Sequence, residues 1–233
     1  MKVINCILFL HVFCSLSMCK AGGEKGDLPK QTMKKDTIPS KYIEALGSTD
    51  GKVSDEAFNY LVSRKSEAIP ALLNVLSGNN QKARYLAVAA IASIGDSSVA
   101  DMVFDFLDDS NEKVRAWSAI ALKRMNDPRA LSALLKTIDD YPDESHYDQT
   151  LTTYALIQWG EEILPHMISL LNFPNKETRI HSFSVIKKVV FNSVKTKEKW
   201  EEIWKLNGSY DTDMSEYERE ICVKKWQNWL SKK

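Results

Sequence analysis

The sequence predicts an all-α chain, a right-handed α-solenoid of about five stacked helix pairs closed by a C-terminal helical cap. Residues 80–96 recur at 111–127: Asn80, Lys82, Arg84, Ala87, Ala90, Ile91 and Asp96 fall in register with Asn111, Lys113, Arg115, Ser118, Ala121, Leu122 and Asp127, a step of 31 positions. A period in this range marks supersecondary units that bury their apolar faces only against one another. Nine Gly and seven Pro in 233 residues are few, and the long stretches lack the apolar–polar alternation of strands. A 44% hydrophobic content supplies a sizeable core.

Taken in order, the chain opens on Lys2, runs mostly apolar from 4 to 16 (Ile7, Leu8, Phe9, Leu10, Val12, Phe13) and carries no acid before Glu24. That layout predicts a secretory signal peptide over 1–18, too short to span a bilayer. Leu16, Ser17, Met18 and Cys19 resemble the bacterial lipoprotein processing box, which implies that Cys19 is lipidated; Met18 departs from the small residue expected there, and ordinary cleavage nearby, for example after Ala21, is the alternative. Export to the bacterial cell envelope follows, periplasmic or surface-facing, with the membrane engaged through the N-terminal lipid. Cys6 and Cys14 fall in the signal, so Cys19 and Cys222 leave no disulfide framework. Residues 19–37, with Gly22, Gly23, Gly26, Pro29 and several lysines, read as a flexible tether.

The repeat region is expected over 38–192. Its first unit pairs 40–46 with 53–64, where Ala57, Tyr60 and Leu61 recur at helical spacing. The following units pair 68–76 with 81–94, 99–107 with 112–125, 128–138 with 148–159 after a short insertion, and 161–171 with 176–190. Asp96 and the Asp127–Pro128 dipeptide mark joins between units, and Asn80, Ser110 and Asn175 are placed to cap the second helices. From 193 to 233 four of the chain's six tryptophans gather: Trp200 and Trp204 share a face with Ile203, and Trp226 and Trp229 share one with Cys222 and Leu230. A terminal cap over the last apolar face explains them; a carbohydrate-stacking platform is the alternative.

The third unit, from Leu107, Asp108, Asp109, Ser110 and Asn111 through Val114 and Arg115 to Asn126, Asp127, Pro128, Arg129, Ala130 and Leu131, resembles the short HEAT repeats of the kind also found in phycobilin lyases. The likeness runs over about residues 68–190 and is specific for fold; the family holds scaffolds, receptors and a few enzymes. It implies that Arg84, Arg115 and Arg179, which open three second helices, form a structural ladder with acids such as Asp108 or Asp109. A row of guanidinium groups binding phosphate or carboxylate is the other reading.

The resemblance also implies that the second helices line a concave face. Val114, Trp117, Ser118, Ala121, Leu122 and Met125 follow the core stripe. Tyr85, Ala89, Ala116, Ile120, Thr150, Tyr154, Ile180 and Ser184 lie outside it, an apolar and aromatic strip where water is expected. Either the strip is a partner-binding groove or strong curvature covers it. The insertion 139–148 gathers acids, His146 and two tyrosines without the spacing of a calcium loop, and reads as solvated.

Lys plus Arg and Asp plus Glu each total 31, so no basic excess invites nucleic acid, and no nucleic-acid partner is expected. His146, His166 and His181 form no metal set, and no phosphate loop, nucleophile elbow or Cys–His pair appears, so no catalytic residue, metal or cofactor is expected. The expectation is a non-enzymatic protein-binding scaffold or accessory lipoprotein of the envelope. A DNA glycosylase-type enzyme and carbohydrate binding through the C-terminal tryptophans are its rivals.

Overall fold

A computed structural model describes residues 38–233. The expected signal peptide, the lipidation at Cys19 and the tether lie outside the described residues. Ile38–Lys233 form one compact unit, all helical apart from an isolated bridge between Pro142 and Thr150. Its α-helices are α1 Ser40–Ala45, α2 Gly51–Ser63, α3 Ile69–Leu76, α4 Gln81–Ile94, α5 Ala100–Phe104, α6 Glu112–Arg124, α7 Ala130–Lys136, α8 Leu151–Ile157, α9 Leu164–Leu170, α10 Lys176–Val194, α11 Lys197–Leu206 and α12 Glu216–Leu230. They pair α1 with α2, α3 with α4, α5 with α6, α7 with α8 and α9 with α10 as an α-solenoid. Second helices also pack on second helices: α2 on α4, α4 on α6, α6 on α8 and α8 on α10.

The repeat reaches down to single hydrogen bonds. Asn80 caps α4, its side chain accepting from the Ala83 amide at 3.1 Å, and Asn111 caps α6, accepting from Lys113 N at 2.9 Å. Ser110 was the expected cap; its neighbour Asn111, 31 residues after Asn80, takes that place. Gly95 closes α4 in the left-handed region (φ 71°), and the equivalent Asn126 adopts it too (φ 56°), the two residue types that tolerate it best. Asp96 and Asp127 then each accept the amide two residues on, Ser98 N at 3.0 Å and Arg129 N at 2.8 Å.

The core follows from small residues. On α6, Val114, Ala116, Ser118, Ala119, Ile120, Ala121 and Leu122 are all buried, and α4 buries Ala83, Ala87 and the run from Val88 to Ala92. Alanines on both helices let them approach closely, so each is enclosed by its first helix and by its neighbours on either side. That enclosure corrects the predicted strip. Ala89, Ala116, Ile120 and Thr150 are core, with Ile120 only 6% exposed; Ser184 is buried as well, and Tyr85, Tyr154 and Ile180 stay half-buried.

Two of the four C-terminal tryptophans are core. Trp226 is fully buried between Trp200 (centroids 6.3 Å) and Trp229 (5.4 Å, edge-on). The Trp204 indole donates to Tyr210 O at 3.1 Å, and the Tyr210 hydroxyl donates to Leu171 O at 2.6 Å. Helix α12 packs on α9 and α11 on α10, so Trp200 and Trp226 are buried over the fifth pair while Trp204 and Trp229 are half-buried. Among the described residues no helix is long and apolar enough to cross a membrane.

Candidate functional site

The N-terminal ends of the second helices are held by the arginines. Arg84 Nη2 pairs with Asp109. One repeat on, Arg115 Nε donates to Asp140 Oδ2 at 2.8 Å while its Nη1 reaches Asp109 O at 2.9 Å. Asp140 is Asp109 moved on by the same 31 positions, so each pair ties one unit to the next. The carboxylate raises the Arg115 pKa further above its ordinary value. Arg179 breaks the series. Its guanidinium donates to three carbonyls, Phe173 O (2.9 Å), Pro174 O (2.8 Å) and Thr212 O (3.1 Å), fastening the cap instead of a carboxylate. All three groups are thus engaged by the chain itself, which leaves no open guanidinium row for an anion.

Between α4 and α6 this edge opens into a shallow groove of about 730 Å³, lined by Asn80, Gln81, Lys82, Tyr85, Ser110, Asn111, Glu112, Lys113 and Arg115. Lys113 is its centre. The Nζ lies 4.6 Å from the Tyr141 ring centroid and 5.5 Å from that of Tyr85, within cation–π range of both. Lys82 occupies the equivalent place one unit earlier and donates to Ser48 O, and Asn111 Nδ2 donates to Gln81 Oε1 at 3.3 Å across the groove. Of the residues expected to bind a partner, only Tyr85 lines this groove. Lys82 and Lys113 went unnoticed, although their recurrence at the start of successive second helices was a signal in the sequence. Tyr141, which meets Lys113 without lining the groove, had none, because it lies in the insertion.

That insertion, expected to be solvated, is tied down by its acids. Asp139 accepts from Thr178 Oγ1 and lies 2.7 Å from His181 Nδ1. Asp143 accepts from the Tyr154 hydroxyl at 3.0 Å, and Asp148 from Ser184 Oγ at 3.1 Å. Burial works to raise the Asp143 pKa, but the Ser145 amide and the Tyr154 hydroxyl outweigh it and hold the carboxyl below its ordinary value. Burial and the Asp143 bond push the Tyr154 phenol up to about 12, which keeps it a donor. The second helix expected over 148–159 starts only at Leu151, where Thr150 and Thr153 form a reciprocal capping box. Among the described residues no group of three or more His, Cys, Asp or Glu is placed to hold a metal ion.

Residues 69–147, which include the whole groove, match the family model described as HEAT repeats. The chain is 34% identical over 121 residues to the phycobilisome maturation protein of Synechococcus elongatus, covering 51% of this chain and 56% of that one. It is 36% identical over 98 residues to phycocyanobilin lyase subunit beta of Pseudanabaena tenuis (41% and 34% covered) and 32% identical over 91 residues to that of a Nostoc species (39% and 45%). The chain therefore spans between about a third and just over half of the length of these relatives. Their names overturn two expectations. Relatives named for phycobilisome maturation and as subunits of a phycocyanobilin lyase, an enzyme, contradict both an envelope scaffold lipoprotein and the assignment as a non-enzyme. The rival readings as a DNA glycosylase or a sugar binder find no support in those names either. The cap-for-cap repetition and the arginine–aspartate pairs fall within residues 69–147, the segment that matches HEAT repeats.

Proposed function

We propose that this chain is a bilin-handling component of the lyase type, which holds an open-chain tetrapyrrole in the Lys113 groove while a protein partner receives or surrenders it. The observation that carries the reading is Lys113 Nζ within cation–π reach of both the Tyr85 and the Tyr141 ring, inside the segment that matches the HEAT repeats. A bilin is a flat conjugated chain of pyrroles bearing carboxylates. Tyrosine faces offer contact area to such rings, and Lys82 and Lys113 offer charge to the acids. The lining side chains bind and orient; Arg115 is spoken for by Asp140 and serves as the rigid floor.

Titration of the chain with phycocyanobilin, followed by absorbance, tests this. A saturable spectral change is expected, weakened about tenfold by Lys113→Ala or Tyr85→Ala, as for one lost charged or aromatic contact of about 1.4 kcal/mol. Thermal melting of both variants should stay near that of the parent. A bilin spectrum unchanged by the protein would overturn the reading.

A further inference from the structure

Lys123 stands at the C-terminal end of α6, and its side chain crosses to the end of α8. There Nζ donates to Ala155 O at 2.8 Å and to Gln158 Oε1 at 3.0 Å, and it lies 5.7 Å from the centroid of the Trp159 ring. Lys136, Lys176 and Lys197 each face a carboxylate, of Asp108, Asp213 and Glu201. Lys123 faces none among the described residues. Both of its acceptors are neutral oxygens, and the charged group that acts on it is a second cation, Arg124, next in the chain.

A carboxylate holds the proton of an ammonium, whereas a half-buried site beside another cation sheds it. Burial first, and then Arg124, bring the Lys123 amine down to about 8. At pH 7.5 about a quarter of it is then neutral, against about one part in a thousand for an ordinary lysine. The neutral amine is the nucleophile. Loss of the charge strands no carboxylate, and an acylated Nζ keeps one N–H for Ala155 O. Gln158 is exposed, so a shift of its side chain opens Nζ to solvent. The nearby guanidinium favours a donor that carries negative charge.

We propose that Lys123 is an acylation site, whose Nζ takes the acyl group directly from an acyl phosphate. The Nζ lone pair forms the N–C bond at the acyl carbon as the C–O bond to phosphate breaks. Inorganic phosphate leaves with that electron pair, and the proton released from nitrogen passes to water; the product is a neutral amide. The site lies ten residues along α6 from Lys113, about 15 Å by helix rise, and does not depend on the bilin reading.

The full chain incubated with acetyl phosphate at pH 7.5, with each lysine followed by peptide mass spectrometry, tests this. Lys123 should acetylate about tenfold faster than the exposed Lys199, the excess of neutral amine being partly offset by its weaker basicity. Its rate should level off above about pH 8. Gln158→Glu sets a carboxylate beside Nζ and should slow acetylation of Lys123 about tenfold at pH 7.5, with Lys199 and the melting curve unmoved. Lys123 reacting no faster than Lys199 overturns the proposal. So does a rate at Lys123 still climbing at about pH 10, or a Gln158→Glu chain that acetylates there as fast as the parent.

Discussion

Arg115 of the third unit reaches Asp140 of the fourth through both its Nε, 2.8 Å from Oδ2, and its Nη2, so a two-point charged contact spans the join between successive repeats. The same guanidinium donates to Asp109 O. Arg115→Ala strands a half-buried carboxylate and a carbonyl at once, and is expected to lower stability by about 1–3 kcal/mol in urea unfolding. Arg115→Lys should recover only part of the loss, since an ammonium cannot reproduce the fork. A variant as stable as the parent would show that the join does not depend on this contact.

Ile120 lies on the helix face that sequence reasoning assigned to a docking groove, yet only 6% of it is exposed. Ile120→Asp therefore places a charge among the alanines of α4 and α6. It should destabilise the chain by about 3 kcal/mol or more, read as loss of circular dichroism or a much lower melting temperature. A well-folded Ile120→Asp chain would return the position to the surface.

The Asp127 carboxyl is held down to about 2, first by its hydrogen bond from Arg129. Its pKa is thus lower folded than unfolded, so its contribution is present above about pH 4 and fades as the pH falls towards 2. The Asp127 side chain is largely covered, but its partner Arg129 is more than a third exposed, and that screening limits the effect to about 1 kcal/mol. Urea midpoints of the parent and Asp127→Asn are expected to differ at pH 7 and to converge near pH 2. A gap that persists in acid would mean that the asparagine disturbs something other than charge.

Trp226 has no exposed surface and touches rings from both cap helices. Trp226→Ala should cost about 3–5 kcal/mol and raise the proteolysis of 197–233 ahead of the rest of the chain. If stability is unchanged, the cap is not closing the fifth pair.

Features that repeat were legible in the sequence. The helix pairs, the turns at Asp96 and Asp127 and the arginines all recur at one spacing, and two copies in register expose them. What repetition conceals is sidedness. A helix flanked by two others buries almost every direction, so the separation of Val114 and Ser118 from Ala116 and Ile120 into inner and outer faces fails, because all four are enclosed. Features that depend on the non-repeating insertion were not legible at all. The meeting of Tyr141 with Lys113, and of Asp139 with His181 across 42 positions, arises from where the hairpin folds back. Helical spacing alone put Cys222 and Trp226 on one face, and both are buried.

The brevity of α8 bears on how the chain acquires its structure. Seven residues are too few to persist as a helix alone in water, and α8 is held at its ends by others: the capping box and the Thr150 hydroxyl on Ile138 O (2.8 Å) before it, and Lys123 of α6 on Ala155 O (2.8 Å) near its end. Its stability therefore depends on α6 and on the closed hairpin. α6 and α7 cover α8 from one side and α10 from the other, so this short helix is complete only as part of a stack that continues beyond it.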